Sequence, residues 1–244
     1  MHPDHPRLLA ELKAAARPVR GAPAQNDSYG GSGRPYFNVA VPERRAMARR
    51  WLADHTTGGP QPVLALVESL FDGVSHEEKT LAAILLGAST AARQAARPAD
   101  INRWLGKLNG WAEVDSLCQN LFTAGEMKRD WPAWKGLIEA LTVSPDINRR
   151  RAALVLLTGP VARSDDPAFR DLAFTTLEAL KGERPILITK AVSWLLRSMA
   201  ARHGAAVTAY IDGNAASLPA IAVREARIKL ATGTKSGRRR GAEA

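Results

Sequence analysis

The sequence predicts an all-α protein built as a curved solenoid of paired helices. After residue 41, apolar residues recur at helical spacing, and no segment alternates as a strand would. Small residues also recur in similar apolar settings, 35, 35, 38 and 35 residues apart: Ala83, Cys118, Ala153, Ala191 and Ala226. A repeat of this length, with two helices per unit, is typical of helical solenoids. A four-helix or globin-like packing is the alternative.

Composition sets limits on the class of protein. The chain has 244 residues, enough for one large domain or two small ones. Its 34 Lys and Arg against 24 Asp and Glu give a net charge of +10, which favours an acidic partner such as nucleic acid or an anionic membrane. The sequence has no apolar run of the roughly 18 residues that span a bilayer, and because acids and prolines interrupt its N-terminal segment, we expect no export signal. Since Cys118 is the single cysteine, no internal disulfide forms, and we expect a cytoplasmic, nucleoid-associated protein.

The chain divides into three predicted segments. In residues 1–41, "LLAELKAAAR" predicts a short helix, followed by a Gly/Pro-rich loop that packs on the solenoid. Residues 42–231 form the repeat domain, and the basic, glycine-rich residues 232–244 form a disordered tail.

Helix starts are visible in the repeat domain. "VPERRAMARRWLADH" has Pro in its first turn, followed by Glu. "PVLALVESLFDG" is apolar at helical spacing and ends in Gly73. "SHEEKTLAAILLGAS" places Ser75 three residues before Glu78, which is the capping-box pattern.

Candidate site residues lie in three of the predicted helices. In "GWAEVDSLC", Trp111 and Asp115 are four residues apart and share a helical face. One repeat later, Arg149, Arg150 and Arg151 open a helix. "KAVSWLLR" then supplies three more candidates: Lys190, Trp194 and Arg197.

The repeat is expected to bring these helix starts to one concave surface that is basic and aromatic and carries one carboxylate. Basic groups bind phosphates, and indoles stack on sugars, bases or cations. Each residue also has an ordinary structural interpretation, as a core tryptophan, a capping aspartate or a solvated arginine. Four further tryptophans are assigned to the core: Trp51, Trp104, Trp131 and Trp134. The five histidines show no metal-ligand spacing, so no metal site is predicted.

In these segments the chain resembles the bacterial DNA alkylation repair glycosylases of the AlkD type, which are HEAT-like solenoids. The resemblance covers residues 36–203, in the family's order: "YFNVAVPERRAMARRW", "SHEEKTLAAILL", "GWAEVDSLC", "NRRRAALVLL" and "KAVSWLLRSMAARH". It implies that Asp115 and Trp111 are a catalytic pair, completed by Trp194 and by Arg150 or Arg151, with Arg151 favoured. The chain departs from the family in having Ala112 after the tryptophan, and in its glycine-rich N-terminal loop.

The resemblance further implies hydrolysis of the N-glycosidic bond of N3- or N7-alkylated purines in duplex DNA, without a cofactor. The phosphate-binding residues would be Arg149, Arg150, Arg151, Lys190 and Arg197. We expect a monomer whose partner is double-stranded DNA with alkylated purines, and no membrane partner. Two alternatives stay open: a non-catalytic HEAT-like protein that binds damaged or branched DNA, and a protein-interaction scaffold.

Overall fold

A computed structural model describes residues 1–18, 31–55, 58–119 and 121–236. These residues form 14 helices and no strand, which confirms the all-α prediction. The chain divides into two compact units between Leu121 and Phe122. The boundaries predicted after residues 41 and 231 stay predictions. Most of the glycine-rich loop (19–30) and of the tail (237–244) lies outside the described residues.

Unit 1 contains the first seven helices: α1 (His5–Ala14), α2 (Val41–Asp54), α3 (Pro60–Asp72), α4 (His76–Ala88), α5 (Thr90–Ala95), α6 (Pro98–Leu105) and α7 (Gly110–Cys118). Helix α4 packs against both α2 and α7, and it also contacts α3. It therefore forms the centre of the unit. The capping box predicted at its start is confirmed, since Glu78 N donates to Ser75 Oγ and Ser75 N donates to Glu78 Oε2.

Two of the predicted core tryptophans lie in unit 1. Trp51 and Trp104 are both buried, and the Trp104 ring stacks on Phe71 with 5.2 Å between centroids. Each indole N–H has an acceptor: Trp51 donates to Asp4 at 3.0 Å and Trp104 to Glu68 at 2.6 Å. Burial of these rings therefore leaves no unsatisfied indole donor.

Unit 2 contains the remaining helices: α8 (Ala124–Lys128), α9 (Trp131–Thr142), α10 (Ile147–Arg163), α11 (Pro167–Leu180), α12 (Ile186–Met199), α13 (Gly204–Asn214) and α14 (Ala220–Thr232). Helix α10 is central, because every residue from Arg151 to Val161 is buried and the helix contacts α8, α9, α11 and α12.

The core assignment of the tryptophans in unit 2 holds for one of two. Trp134 is buried, as predicted. Trp131 is half-buried: its ring meets Phe169 edge-on at 4.8 Å, and the Lys128 ammonium lies 5.3 Å from its centroid. The core prediction for Trp131 is therefore wrong, because one side of its ring lies at the surface against the Lys128 ammonium.

The helical repeat is confirmed within each unit. The five periodic small residues are all buried, on α4, α7, α10, α12 and α14. Helix α4 packs on α7 in unit 1, and α12 packs on both α10 and α14 in unit 2. The sequence pattern also led us to expect the second helix of each unit to begin near these positions, and this is wrong, since Cys118 ends α7 and the other four lie mid-helix. Small side chains mark where neighbouring helices approach closely, rather than where they start.

No helix among the described residues is both long enough and apolar enough to cross a membrane.

Lys79 makes a testable contribution to the stability of unit 1. Its ammonium is buried on α4 and donates to the carbonyl of Phe71. Burial, reinforced by the positive charge of Arg34, lowers the pKa of Lys79 from 10.5 to about 8. The folded state therefore holds this proton less tightly than the unfolded state. The resulting penalty is complete below pH 8 and is relieved as the pH rises towards 10.5.

We therefore expect the stability of Lys79→Met relative to wild type to decrease between pH 7 and pH 9.5. The expected decrease is about 2 kcal/mol, because the difference grows by roughly 1.4 kcal/mol for each pH unit above the lowered pKa of about 8. Urea unfolding at both pH values measures it. Lys135→Met, at an exposed position on α9, is the control and should show no such change. A pH-independent difference for Lys79→Met would contradict the lowered pKa.

Candidate functional site

Helix α7 carries the predicted catalytic pair. It begins at Gly110, whose φ of +75° is a left-handed conformation that glycine adopts without strain. Trp111 and Asp115 then lie one turn apart on the same side of the helix. Trp111 is half-buried, and Asp115 is 8% exposed. The structure thus places a carboxylate and an indole on one face of α7, with the carboxylate largely removed from water.

A second acid on α7, which sequence reasoning missed, is completely buried. Glu113 Oε2 accepts a hydrogen bond from Asn109 N at 3.0 Å and lies 3.3 Å from Arg34 Nε. Its other oxygen lies 3.4 Å from His76 Nδ1. The side chain of Glu113 has no exposed surface, so Arg34 and the helix N-terminus supply the positive potential that a buried carboxylate needs.

Arg34 belongs to residues 31–38, which we name the strap. The strap runs past the N-terminal ends of α4 and α7. His76 N donates to Pro35 O at 3.0 Å, and Phe37 N donates to Glu77 Oε2 at 3.0 Å. On α7's side, Asn109 Nδ2 donates to Ser32 O at 3.1 Å. The strap is thereby attached to both helices.

In unit 2, the arginine triplet opens α10, whose first turn is capped by Asp146. Arg149 is half-buried. Arg150 donates four hydrogen bonds: two to the carboxylate of Glu183, at 2.7 and 3.1 Å, and two to the carbonyls of Ser144 and Pro145. Arg150 therefore already uses most of its five donors inside the protein.

Arg151, the arginine favoured from the sequence, is buried. Its Nη1 donates to Leu187 O, in the first turn of α12, at 2.5 Å. This bond connects the starts of α10 and α12. Arg151 therefore has a structural role in unit 2, and any contact that it makes with a phosphate would have to be added to this bond.

The predicted residues of α12 lie on the helix that packs against α10. Lys190 and Trp194 are half-buried and one turn apart. Arg197 Nε lies 3.3 Å from Glu225 Oε2, which also accepts a 2.6 Å hydrogen bond from Ser193. Burial lowers the pKa of Arg197, and the charge of Glu225 opposes this effect.

The structure thus brings together Trp111 and Asp115 in unit 1, and the candidates on α10 and α12 in unit 2. That these two sets line one surface stays a prediction.

Two exposed arginines on α2 were not singled out from the sequence. Arg45 and Arg49 are one turn apart, and within the described residues neither guanidinium has a hydrogen bond or ion pair. By contrast, Arg50 pairs with Glu11. The buried stripe of Arg44, Met47, Ala48 and Trp51 marks the inner face of α2; this spacing could have identified 45 and 49 as outward-facing cations.

No group of three or more histidine, cysteine or acidic side chains suited to a metal ion occurs among the described residues.

Comparison with known proteins agrees with this architecture. A family model described as DNA alkylation repair enzyme matches residues 8–230. Among solved structures, a predicted DNA alkylation repair enzyme from Enterococcus faecalis is similar, with a TM-score of 0.65 and 16% identity over 93% of this chain and 94% of that chain. At this identity, the similarity concerns the fold. No curated protein sequence matches the chain.

Since the family model covers most of its length, the chain belongs to the DNA alkylation repair enzyme family. This membership assigns it an enzymatic role in the repair of alkylated DNA, with DNA as its substrate.

The bonds of Arg150 generate a prediction about its role. Arg150→Met and Glu183→Gln should each destabilise the protein, and a double-mutant cycle should give a coupling of about 1 kcal/mol, since the pair is bidentate and mostly buried. Urea unfolding measures the coupling. The matched control is Lys135–Glu139 on α9, whose side chains are half exposed and 3.6 Å apart; its coupling should be smaller. Equal couplings would indicate that Glu183 holds Arg150 only weakly, so that its guanidinium is available to bind a DNA phosphate.

Proposed function

We propose that this protein is a DNA glycosylase that hydrolyses the N-glycosidic bond of N3- or N7-alkylated purines in duplex DNA. The observation that carries the proposal is the Asp115 carboxylate, nearly buried and one turn from the half-buried Trp111. Family membership and the net charge of +10 support it. We propose that the enzyme acts in base excision repair as a monomer, without a metal or cofactor.

The chemistry of the lesion suits a site with one carboxylate. An alkylated purine of this kind carries a positive charge, so it departs as a neutral base and needs no general acid. As the bond breaks, positive charge develops on the deoxyribose. A fixed carboxylate in a low-dielectric site stabilises this charge more in the transition state than in the ground state. Asp115 can also orient or deprotonate the attacking water.

The other candidate residues would bind the DNA around the lesion. Trp111 and Trp194 would pack their rings against the sugar and backbone, where developing positive charge favours an aromatic face. Arg149 and Lys190 would contact phosphates, as would Arg151 beyond its bond to Leu187. Arg150 and Arg197 have internal carboxylate partners, so we assign them a smaller share of the binding than the sequence alone suggests.

The proposed role of Asp115 is tested by Asp115→Asn, which keeps the shape of the side chain and removes its charge. The single-turnover rate of 7-methylguanine release should fall about a hundredfold or more, corresponding to about 3 kcal/mol of lost stabilisation. Affinity for a duplex with an uncleavable abasic analogue should stay equal or increase slightly, because a negative charge near phosphates is lost.

Asp54→Asn, at an exposed position on the last turn of α2, is the matched control and should leave both quantities unchanged. Equal rates for wild type and Asp115→Asn would rule out a catalytic role for this carboxylate. If wild type binds DNA but releases no base, the protein is a binding module rather than a glycosylase.

DNA binding should be strongly salt-dependent and largely independent of sequence, since it would rest on phosphate contacts. We expect Arg45→Ala/Arg49→Ala to reduce the slope of log K against log salt by about 2, at roughly 0.9 per phosphate contact. Fluorescence anisotropy with an undamaged duplex between low and moderate salt measures this slope.

The control for this experiment is Arg7→Ala/Arg50→Ala. It removes the same charge from arginines that already pair with Glu11, and it should change the slope less. If the two double variants behave alike, the result reflects net charge rather than phosphate contacts by α2.

A further inference from the structure

The buried Glu113 lies on the side of α7 opposite the candidate catalytic pair. It is two residues from Trp111 and two from Asp115, so at about 100° per residue its side chain points about 160° away from either. It therefore faces the interior of unit 1 and is not placed to touch a substrate. What it can do is fix the helix that carries the pair.

Glu113 fixes the start of α7 by bonding to the chain before it. Its Oε2 accepts from Asn109 N, at the N-cap position of α7. The same oxygen lies 3.3 Å from Arg34 Nε, and Arg34 Nη2 donates to Lys107 O at 2.9 Å. One guanidinium thus bridges the buried carboxylate and the loop before α7. The planar, forked donor set of arginine makes this bridge possible.

The remaining contacts connect this bridge to α4. His76, the first residue of α4, lies 3.4 Å from Glu113 through Nδ1, and its ring meets Tyr36 of the strap edge-on at 5.5 Å. The strap also binds α4 through the Phe37–Glu77 hydrogen bond. Arg34 and Glu113 therefore join the strap to α7, and the Phe37–Glu77 hydrogen bond joins the strap to α4.

The energetics make this pairing sensitive to loss of either partner. A carboxylate without exposed surface requires compensating charge, and removing Arg34 leaves Glu113 with only the charge of the buried Lys79 and the bond from Asn109 N. Arg34 is itself partly exposed, with 27% of its side chain accessible. When Arg34 is removed, α7 and the strap can therefore shift locally, while the rest of the core stays packed.

We propose that Arg34 and Glu113 are positioning residues that clamp α7 to the strap and so hold Trp111 and Asp115 in their working geometry. The inference rests on the proposed function for its consequence in rate. Catalysis depends on placement to within about 1 Å, and an error of that size can cost about a hundredfold. Loss of the clamp should therefore reduce the rate of base release more than it reduces DNA affinity.

The test uses Arg34→Met, which keeps the bulk of the side chain and removes its charge and its donors. The single-turnover rate of 7-methylguanine release should fall tenfold or more, while affinity for the abasic-analogue duplex stays within threefold. Arg34→Lys keeps the charge but cannot bond Glu113 and Lys107 O together as a fork, so its rate should lie between those of Arg34→Met and wild type.

A second readout does not depend on activity. The protein is labelled with 5-fluorotryptophan, and the Trp111 resonance is assigned with Trp111→Phe. In Arg34→Met this resonance should shift or broaden, whereas those of Trp51 and Trp104 stay in place. If wild type releases no base, the proposed glycosylase function fails, but the fluorine spectrum still tests the clamp.

The matched control is Arg103→Met, which removes an arginine of unit 1 that pairs with Glu68 and Asp100. It should leave both the rate and the Trp111 resonance as in wild type. A wild-type Trp111 resonance in Arg34→Met would overturn the proposal. An equal loss of rate in Arg103→Met would also overturn it, since the effect would then be general destabilisation.

Discussion

Unit 1 depends on one buried carboxylate, which lies on the helix of the candidate catalytic pair but on the opposite face. Glu113 has no exposed surface, so the fold must supply partners for its charge. It does so with Arg34, with the N-terminus of α7 and with the charge of the buried Lys79 on α4. These partners come from three segments that are distant in sequence. Satisfying one charge therefore fixes the strap, the start of α4 and the start of α7 together.

The basic character of the chain has two uses in the structure. Some arginines hold the fold: Arg34, Arg150 and Arg197 all lie close to carboxylates. Others, such as Arg45 and Arg49, stay exposed without a carboxylate partner in the described part of the chain. Only the second kind can contribute fully to phosphate binding, because a cation that is already paired must give up its partner or share its donors. Net charge alone therefore overstates the surface available to DNA.

Much of the fold could be predicted from local patterns. The capping box joins Ser75 and Glu78, which are three residues apart, and the recurring Ala153, Ala191 and Ala226 mark successive packed helices. The i, i+4 placement of Trp111 and Asp115 likewise follows from helix geometry. The pairs Arg34–Glu113 and Arg150–Glu183 could not be predicted, since their partners are 79 and 33 residues apart. No local pattern distinguishes an arginine that binds phosphate from one that satisfies a distant acid.

Product analysis with the wild-type protein shows whether it releases N3- or N7-alkylated purines from duplex DNA. A duplex with 7-methylguanine is incubated with excess protein in the presence of EDTA, and the free base and the abasic strand are measured by mass spectrometry. We expect equal amounts of free 7-methylguanine and abasic site, formed much faster than by spontaneous depurination. Base release at the spontaneous rate, at a protein concentration that saturates the DNA, would contradict it.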